Sequence, residues 1–145
     1  MSAVTIRPAE LRDAELLARF NEALAFESEQ RRLDPQRIAA GVQAVLSDAE
    51  KGRYLVAEAA EAAASAESGL GEVAVVGQLL LTREWSDWRN AWFWWIQSVY
   101  VVPAWRRHGV YRALQQRVLA DAQAAGDVCG LRLYVDRDNA GARRT

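Results

Sequence analysis

The chain has 145 residues, 51% of them hydrophobic and 26% charged, a balance typical of one soluble globular domain and unlike that of a disordered chain. A formal net charge of −1 gives no electrostatic basis for nucleic-acid binding, so we expect no nucleic-acid partner. With one cysteine and one histidine the chain can form neither an internal disulfide nor a Cys/His metal site. The sequence has no long apolar run and no leader-like N-terminus, which predicts a cytoplasmic protein with no membrane partner.

The N-terminal third predicts a short strand followed by two helices. Residues 4–7 form the strand, which Pro8 ends. Asp13 is the expected cap of the first helix, and the second begins at Asp34-Pro35 and ends before Gly52. The apolar residues of each helix recur at helical spacing: Leu16, Leu17, Phe20 and Leu24, then Ile38, Val42, Val45 and Leu46. The polar run 27–32 between them is interpreted as a solvated connection.

The middle of the chain predicts two antiparallel hairpins. Residues 53–57 and 73–81 have strand composition, and the Ala/Glu/Ser/Gly segment 58–71 between them is interpreted as a flexible hairpin loop, with a short helix as the alternative. The second hairpin turns at residues 86–90 and leads into the aromatic strand 92–96.

Five of the six tryptophans lie between Trp85 and Trp95. Simple alternation would place Trp92, Trp94, Ile96, Ser98 and Tyr100 on one face of the strand and Phe93, Trp95, Gln97, Val99 and Val101 on the other. Two apolar faces indicate a central strand that is covered on both sides. Core packing explains the cluster, and an aromatic acceptor pocket or a homodimer surface is the alternative.

The most informative segment is residues 97–114, which predicts a strand, a basic turn and a helix. Residues 99–102 are β-branched or aromatic, Pro103 ends the strand, and helical periodicity begins after Gly109. The N–H groups at a helix start, together with Arg106 and Arg107, form a site suited to a phosphate or diphosphate. Gly109 permits close approach of the backbone.

A helix then runs to Gly126, with a buried stripe of Val110, Leu114, Val118, Ala122 and Ala125, and a strand follows at residues 131–135. A strand-helix-strand unit of this kind predicts a right-handed parallel crossover. The expected fold is therefore α/β: a mixed, mostly antiparallel central sheet with one parallel β-α-β crossover and helices on both faces.

The residues Arg106, Gly109 and Tyr111, after a hydrophobic strand ending near a proline, resemble the acyl-coenzyme A binding motif of the GNAT-type N-acetyltransferase superfamily, Arg/Gln-x-x-Gly-x-Gly/Ala. Tyr111 departs from the Gly or Ala of that pattern. The resemblance continues in order from Ile6-Arg7-Pro8 to the strand 131–135 and to Asn139 with Ala142. Neither a Gly-x-Gly-x-x-Gly nor a Gly-Lys-Ser/Thr loop is present to indicate an unrelated nucleotide-binding protein.

The resemblance implies an enzyme that transfers an acetyl group from acetyl-CoA to a primary amine of a small molecule or peptide. The alternative is a noncatalytic CoA-binding module that acts as a sensor or assembly partner. The residues implied in cofactor binding are those of the strand, the turn and the C-terminal segment: Val99, Tyr100, Val101, Arg106, Arg107, His108, Gly109, Val110, Tyr111 and Asn139. Backbone N–H groups near Val99 to Val101, where the family's strand is bulged, would stabilise the oxyanion.

No carboxylate stands at the place of the general base: relatives often carry a Glu on this strand, where Trp95 and Gln97 stand here. Neither of these side chains takes up a proton at neutral pH. Gln97 and Glu84 are taken as the catalytic-site candidates, with Asp87 or a water chain as further routes for the proton. For His108 a backbone role in the turn is expected instead.

The segment 139–145 begins the family pattern Asn-x-x-Ala-x-x-x-Tyr, and the sequence stops one residue before the Tyr. That Tyr usually protonates the leaving thiolate. We therefore expect residues 1–145 to be one GNAT-type domain without its last helix and final two strands, which would leave the strand 131–135 as an open edge.

Overall fold

The computed structural model describes residues 4–60 and 74–133. Within these ranges the elements are β1 Thr5–Pro8, α1 Ala14–Glu29, α2 Pro35–Ser47, β2 Arg53–Ala59, β3 Ala74–Ser86, β4 Ala91–Val101, α3 Val110–Ala125 and β5 Val128–Leu133. Most of the predicted hairpin loop, the end of the last predicted strand and the segment 139–145 lie outside the described residues. None of the helices described is long and apolar enough to cross a membrane.

The strands form one sheet in the order β1-β2-β3-β4-β5. The pairs β1–β2, β2–β3 and β3–β4 are antiparallel. Strand β5 pairs with β4 in parallel and is reached through the α3 crossover. This arrangement confirms the predicted fold class. The parallel pairing runs from Trp92 opposite Val128 to Ile96 opposite Leu133.

Helices cover both faces of the sheet, as predicted. Leu55 and Ala57 of β2 pack in the core that contains Val110, Leu114 and Val118 of α3. Their neighbours Tyr54 and Val56 pack on the opposite face with residues of α1 and α2. Because side chains alternate along a strand, β2 separates two apolar layers. The sheet is therefore held between α3 on one side and the α1–α2 pair on the other.

A bulge in β4 changes which side chains share a face. Leu80 of β3 lies opposite Ser98 and Leu81 lies opposite Ile96, so Gln97 is the extra residue. Before the bulge Trp94 and Ile96 face α3, and after it Val99 and Val101 do. The prediction of one continuous alternating face was therefore wrong, because an inserted residue reverses the alternation.

The helix starts follow the predicted residues with one difference. The Asp34 carboxylate accepts hydrogen bonds from the backbone N–H groups of Gln36 (2.9 Å) and Arg37 (3.3 Å), which caps α2. Asp13 precedes α1 but makes no such cap. Its carboxylate instead binds the guanidinium of Arg7 at 2.8 and 3.0 Å. The Asp13 side chain thus connects the start of α1 to β1.

Candidate functional site

The turn between β4 and α3 contains two residues in the left-handed backbone region. Pro103–Trp105 form a 3-10 turn, Arg107 has φ of 67° and Gly109 has φ of 82°. A non-glycine residue in this region is uncommon, and alternating backbone conformations of this kind turn successive N–H groups toward one side. No side chain in the described chain caps α3, and the hydrogen bond from Ala113 N–H to the Gly109 carbonyl (3.0 Å) closes its first turn. The first N–H groups of α3 are therefore available to a ligand.

Gly77 of β3 fixes the start of α3 against the sheet. A Cβ on Gly77 would lie 2.9 Å from Val110 Cγ1 and 3.2 Å from the Tyr100 carbonyl oxygen. Val110 is itself buried in the core. The first residue of α3 therefore packs directly on the backbone of the sheet, and this contact positions the preceding turn.

Arg106 extends toward α1. Its Nε donates to the Val101 carbonyl at 2.9 Å, and its Nη2 lies 3.0 Å from Glu27 Oε2. Its guanidinium carbon is 5.5 Å from the centroid of the Tyr100 ring. Arg107 and His108 are exposed, and the His108 ring lies 5.6 Å from that of Trp105. The basic turn therefore presents charge to solvent while Arg106 connects it to the end of α1.

The three strand residues predicted to bind the cofactor, Val99, Tyr100 and Val101 of β4, place one side chain on the α1 face and two on the α3 face. Tyr100 is buried against Phe20 of α1, with ring centroids 5.1 Å apart, whereas Val99 and Val101 pack in the α3 core. Burial and the nearby Glu27 carboxylate raise the pKa of Tyr100, and burial raises that of Tyr111. Both phenols are therefore neutral at physiological pH.

Gln97 and Glu84 lie on the same face of the sheet. Gln97 Nε2 donates to Thr82 Oγ1 at 2.8 Å, next to the pair Thr82 and Trp95. The Trp95 indole N–H donates to Glu84 Oε1 at 2.9 Å, and Arg132 Nη1 lies 3.4 Å from the same oxygen. The Glu84 carboxylate therefore already has two positively polarised partners. The bulge at Gln97 lies two residues before the segment Val99 to Val101, where the family resemblance led us to expect it.

The aromatic cluster divides between the core and the surface. Trp94 is buried in the α3 core, whereas Trp85 and Trp88 are 48% and 95% exposed. An open groove of about 460 Å³ is lined by these two exposed tryptophans together with Phe93, Arg132, Glu84 and Asp87 among others. Core packing thus explains part of the cluster, and the remaining aromatic residues form a surface at the end of the sheet away from the basic turn.

Three residues near this site have roles that the sequence analysis did not predict. Glu27 was assigned to a solvated connection, but it lies in the last turn of α1, which continues to Glu29. Gln78 is fully buried in β3, and a lone amide within the apolar run 75–81 was a signal that could have drawn attention to it. Arg132 stacks on Phe93, with its guanidinium carbon 3.8 Å from the ring centroid. Asn139 lies outside the described residues.

Comparison with known proteins identifies the class to which this fold and this turn belong. Residues 15–145 match the family described as the acetyltransferase (GNAT) family. The chain belongs to this family and is an acyltransferase. No curated protein sequence matches it.

Solved structures give the same class. A possible acetyltransferase from Clostridium difficile 630 is 37% identical, with a TM-score of 0.83 and coverage of 97% of this chain and 85% of that one. Two further structures share the fold. One is a ribosomal-protein-alanine N-acetyltransferase from Brucella melitensis biovar Abortus 2308 (21% identity, TM-score 0.68, coverage 98% and 87%). The other is an aminoglycoside N-acetyltransferase in complex with CoA (13% identity, TM-score 0.72, coverage 99% and 84%).

Proposed function

We propose that this acyltransferase moves the acetyl group of acetyl-CoA to a primary amine of a small molecule or peptide. One observation carries the proposal. Gly109, directly before the uncapped start of α3, has φ of 82°, and apart from its chain neighbours no residue has an atom within 4 Å of the position where a Cβ would stand. An open backbone cradle at a helix N-terminus suits an anion. The diphosphate of CoA is such an anion.

The surrounding residues fit the cofactor in charge and in backbone geometry. Residues 106–111 would hold the diphosphate through their N–H groups, with the positive charges of Arg106 and Arg107 beside them. Within the described residues β5 pairs with β4 only as far as Ile96. Among the described residues none pairs with the β5-side edge of β4 at Val99, Tyr100 and Val101, and this edge is proposed to form strand-like hydrogen bonds with the pantetheine arm. Asn139 is proposed as a further cofactor contact from the family pattern.

The bulge at Gln97 is the proposed position of the thioester. A bulged residue leaves backbone N–H groups outside the regular ladder, and such groups can stabilise the oxyanion that forms when a neutral amine attacks the carbonyl carbon. Gln97 is proposed to orient the reacting groups, because an amide side chain donates and accepts hydrogen bonds without taking up a proton. Glu84, on the same face, is the carboxylate named from the sequence as a candidate for taking up the proton, with Asp87 or a water chain as the alternatives.

The acceptor is proposed to approach along the open groove. Phe93 and Trp95 precede the bulge on this face, and Glu84 and Asp87 are the carboxylates of the groove that can pair with an ammonium group before it loses its proton. Two of the structural neighbours named above are N-acetyltransferases, which supports an amine as the acceptor. The groove also contains Arg89 and Arg132, so its charged residues balance.

Calorimetry on two glycine variants tests the cofactor site. Gly109→Ala and Gly126→Ala change the residues at the two ends of α3; both glycines have positive φ (82° and 78°) and open space around them. The two variants therefore carry a similar backbone cost. We expect Gly109→Ala to weaken binding of CoA and acetyl-CoA about tenfold or more, and Gly126→Ala to leave it unchanged. Equal affinities in both variants, or no binding by the wild type, would overturn the assignment.

Release of free thiol from acetyl-CoA, measured with ethanolamine, lysine, tyramine, kanamycin and a short peptide, tests turnover. An acetylated amine identified by mass spectrometry supports the proposed reaction. Tight binding without thiol release in a wider panel of amines would favour the noncatalytic module.

A further inference from the structure

Three polar side-chain atoms of two residues beside the bulge are buried without hydrogen-bond partners among the described residues. The atoms are Gln78 Oε1, Gln78 Nε2 and Ser98 Oγ. Gln78 has no exposed surface. A buried amide that makes no hydrogen bond costs stability, because it gives up its bonds to water and receives nothing in return. Buried polar groups without hydrogen-bond partners are concentrated at functional sites.

Gln78 and Ser98 lie next to each other on the α1 face of the sheet. Gln78 is paired with Tyr100, and Ser98 with Leu80, so the two side chains are diagonal neighbours across β3 and β4. Ser98 follows the bulge residue Gln97 directly. These unpartnered polar atoms are therefore beside the proposed position of acyl transfer.

Tyr100 continues this polar line toward the surface. Gln78 of β3 lies opposite it, and Phe20 of α1 covers its ring. The charged groups that face Tyr100 within the described chain are Glu27 of α1 and Arg106 of the turn. Glu27 Oε2 lies 3.0 Å from Arg106 Nη2, and its side chain is 41% exposed. Tyr100 is thus paired with the residue that carries the buried amide, and the guanidinium carbon of Arg106, the partner of Glu27, lies 5.5 Å from its ring centroid.

We propose that Gln78, Ser98 and Tyr100 form a path for protons from the bulge to Glu27, and that Glu27 takes up the proton that the acceptor amine releases. The inference rests on the proposed function. It follows the water-chain route, with Gln78 and Ser98 positioning one water molecule that contacts the Tyr100 hydroxyl. It also explains why β4 can lack the carboxylate that relatives carry.

The step balances in protons and electrons. The nitrogen lone pair forms a bond to the thioester carbonyl carbon, and the C–S bond breaks with its electron pair remaining on sulfur. One proton leaves the nitrogen and passes through the water and the Tyr100 hydroxyl to the Glu27 carboxylate. The thiolate takes one proton from solvent, and Glu27 returns its proton to solvent.

Stability and activity measured on the same variants separate a functional role from a structural one. Gln78→Leu removes the orphaned amide at similar volume, so we expect a higher melting temperature together with a fall in kcat of about 100-fold. Ser98→Ala provides the same test should Gln78→Leu not fold. Gln43→Leu, on the exposed side of α2, is the matched control. Affinity for CoA, measured by calorimetry, is expected to stay at the wild-type value in Gln78→Leu and Ser98→Ala.

The pH profile identifies the carboxylate. We expect Glu27→Gln to lower kcat about 100-fold and to remove the acidic limb of the kcat profile, measured with whichever amine of the panel turns over fastest. Tyr100→Phe should also lower kcat, because it removes the hydroxyl that passes the proton to Glu27. Glu29→Gln, two residues further along α1 and exposed, is the control. Loss of the limb in Glu84→Gln but not in Glu27→Gln would overturn the inference.

Wild-type kcat in both Gln78→Leu and Ser98→Ala would also overturn it while the proposed function stands. Failure of the wild type to bind CoA or acetylate any amine would overturn both.

Discussion

Val110, the first residue of α3, packs so closely on Gly77 that a Cβ added to Gly77 would lie 2.9 Å from Val110 Cγ1. We expect Gly77→Ala to destabilise the protein by about 2 kcal/mol, because the Tyr100 carbonyl on the other side, at 3.2 Å, prevents relaxation of the crowded methyl group. Urea denaturation measures the loss.

Gly41 provides the control for this substitution. It lies exposed within α2 and has nothing within 4 Å of an added Cβ, so Gly41→Ala should stabilise the protein by up to about 1 kcal/mol through helix propensity alone. Gly77→Ala should also weaken CoA binding, since it displaces the start of α3. A Gly77→Ala protein as stable as the wild type would contradict the contact.

The Asp13 carboxylate is expected to make folding stability depend on acid pH. The bidentate hydrogen bonds from Arg7, at 2.8 and 3.0 Å, hold the pKa of Asp13 below its ordinary value. A depressed folded-state pKa stabilises the protein fully above about pH 4, the unfolded value, and this contribution is lost as pH falls through the folded value. Asp13→Asn should cost about 3 kcal/mol at pH 7.

The difference in unfolding free energy between wild type and Asp13→Asn, measured from pH 7 to pH 2, checks this prediction. The difference should shrink toward the acid end. A difference that is constant over the whole range would assign the effect to packing and not to the carboxylate charge.

The pair Asn21 and Tyr54 connects α1 to β2 by one side-chain hydrogen bond of 3.1 Å from Asn21 Nδ2 to the Tyr54 hydroxyl. Burial raises the pKa of Tyr54, so the phenol remains protonated through the neutral range. We expect Tyr54→Phe to cost about 1 kcal/mol. A double-mutant cycle with Asn21→Ala should return a coupling energy of similar size, and a coupling near zero would show that the bond contributes nothing.

Arg132 should stabilise the groove by stacking more than by its charge. Its guanidinium carbon lies 3.8 Å from the Phe93 centroid and 5.5 Å from that of Trp95. Arg132→Ala is expected to cost about 1 kcal/mol, and Arg132→Lys nearly as much, because an ammonium group cannot stack as a planar group does. Arg89→Ala is the control, since Arg89 lies further from Phe93 at 5.4 Å. Full rescue by lysine would assign the effect to charge.

Local signals in the sequence predicted most of the fold. Asp34-Pro35 and Gly126 mark helix ends, and the stripe of Val110, Leu114 and Val118 gives the buried face of α3. Each of these signals acts within a few residues, so it can be recognised without the tertiary structure. The strand-turn-helix segment likewise predicted the position of the basic turn.

The features that could not be predicted depend on distant parts of the chain. The pairing of Arg106 with Glu27 joins residues 79 positions apart, and no local pattern indicates it. Asp13 has the composition of a helix cap, but the competing guanidinium of Arg7 takes its carboxylate. The extra residue at Gln97 shows only when β4 is aligned with β3, because the sequence around it continues to alternate.

The bulge also limits how this chain can change its length. Removing Gln97 would place Ile96 directly before Ser98. These two residues already lie on opposite faces, across from the consecutive residues Leu81 and Leu80, so every side chain of β4 would keep its face. A single-codon deletion of Gln97 would thus preserve the interior of the distal hairpin, whereas a deletion between Trp92 and Ile96 would turn over the part of β4 before it relative to Tyr100 and exchange that interior with the ligand-facing surface.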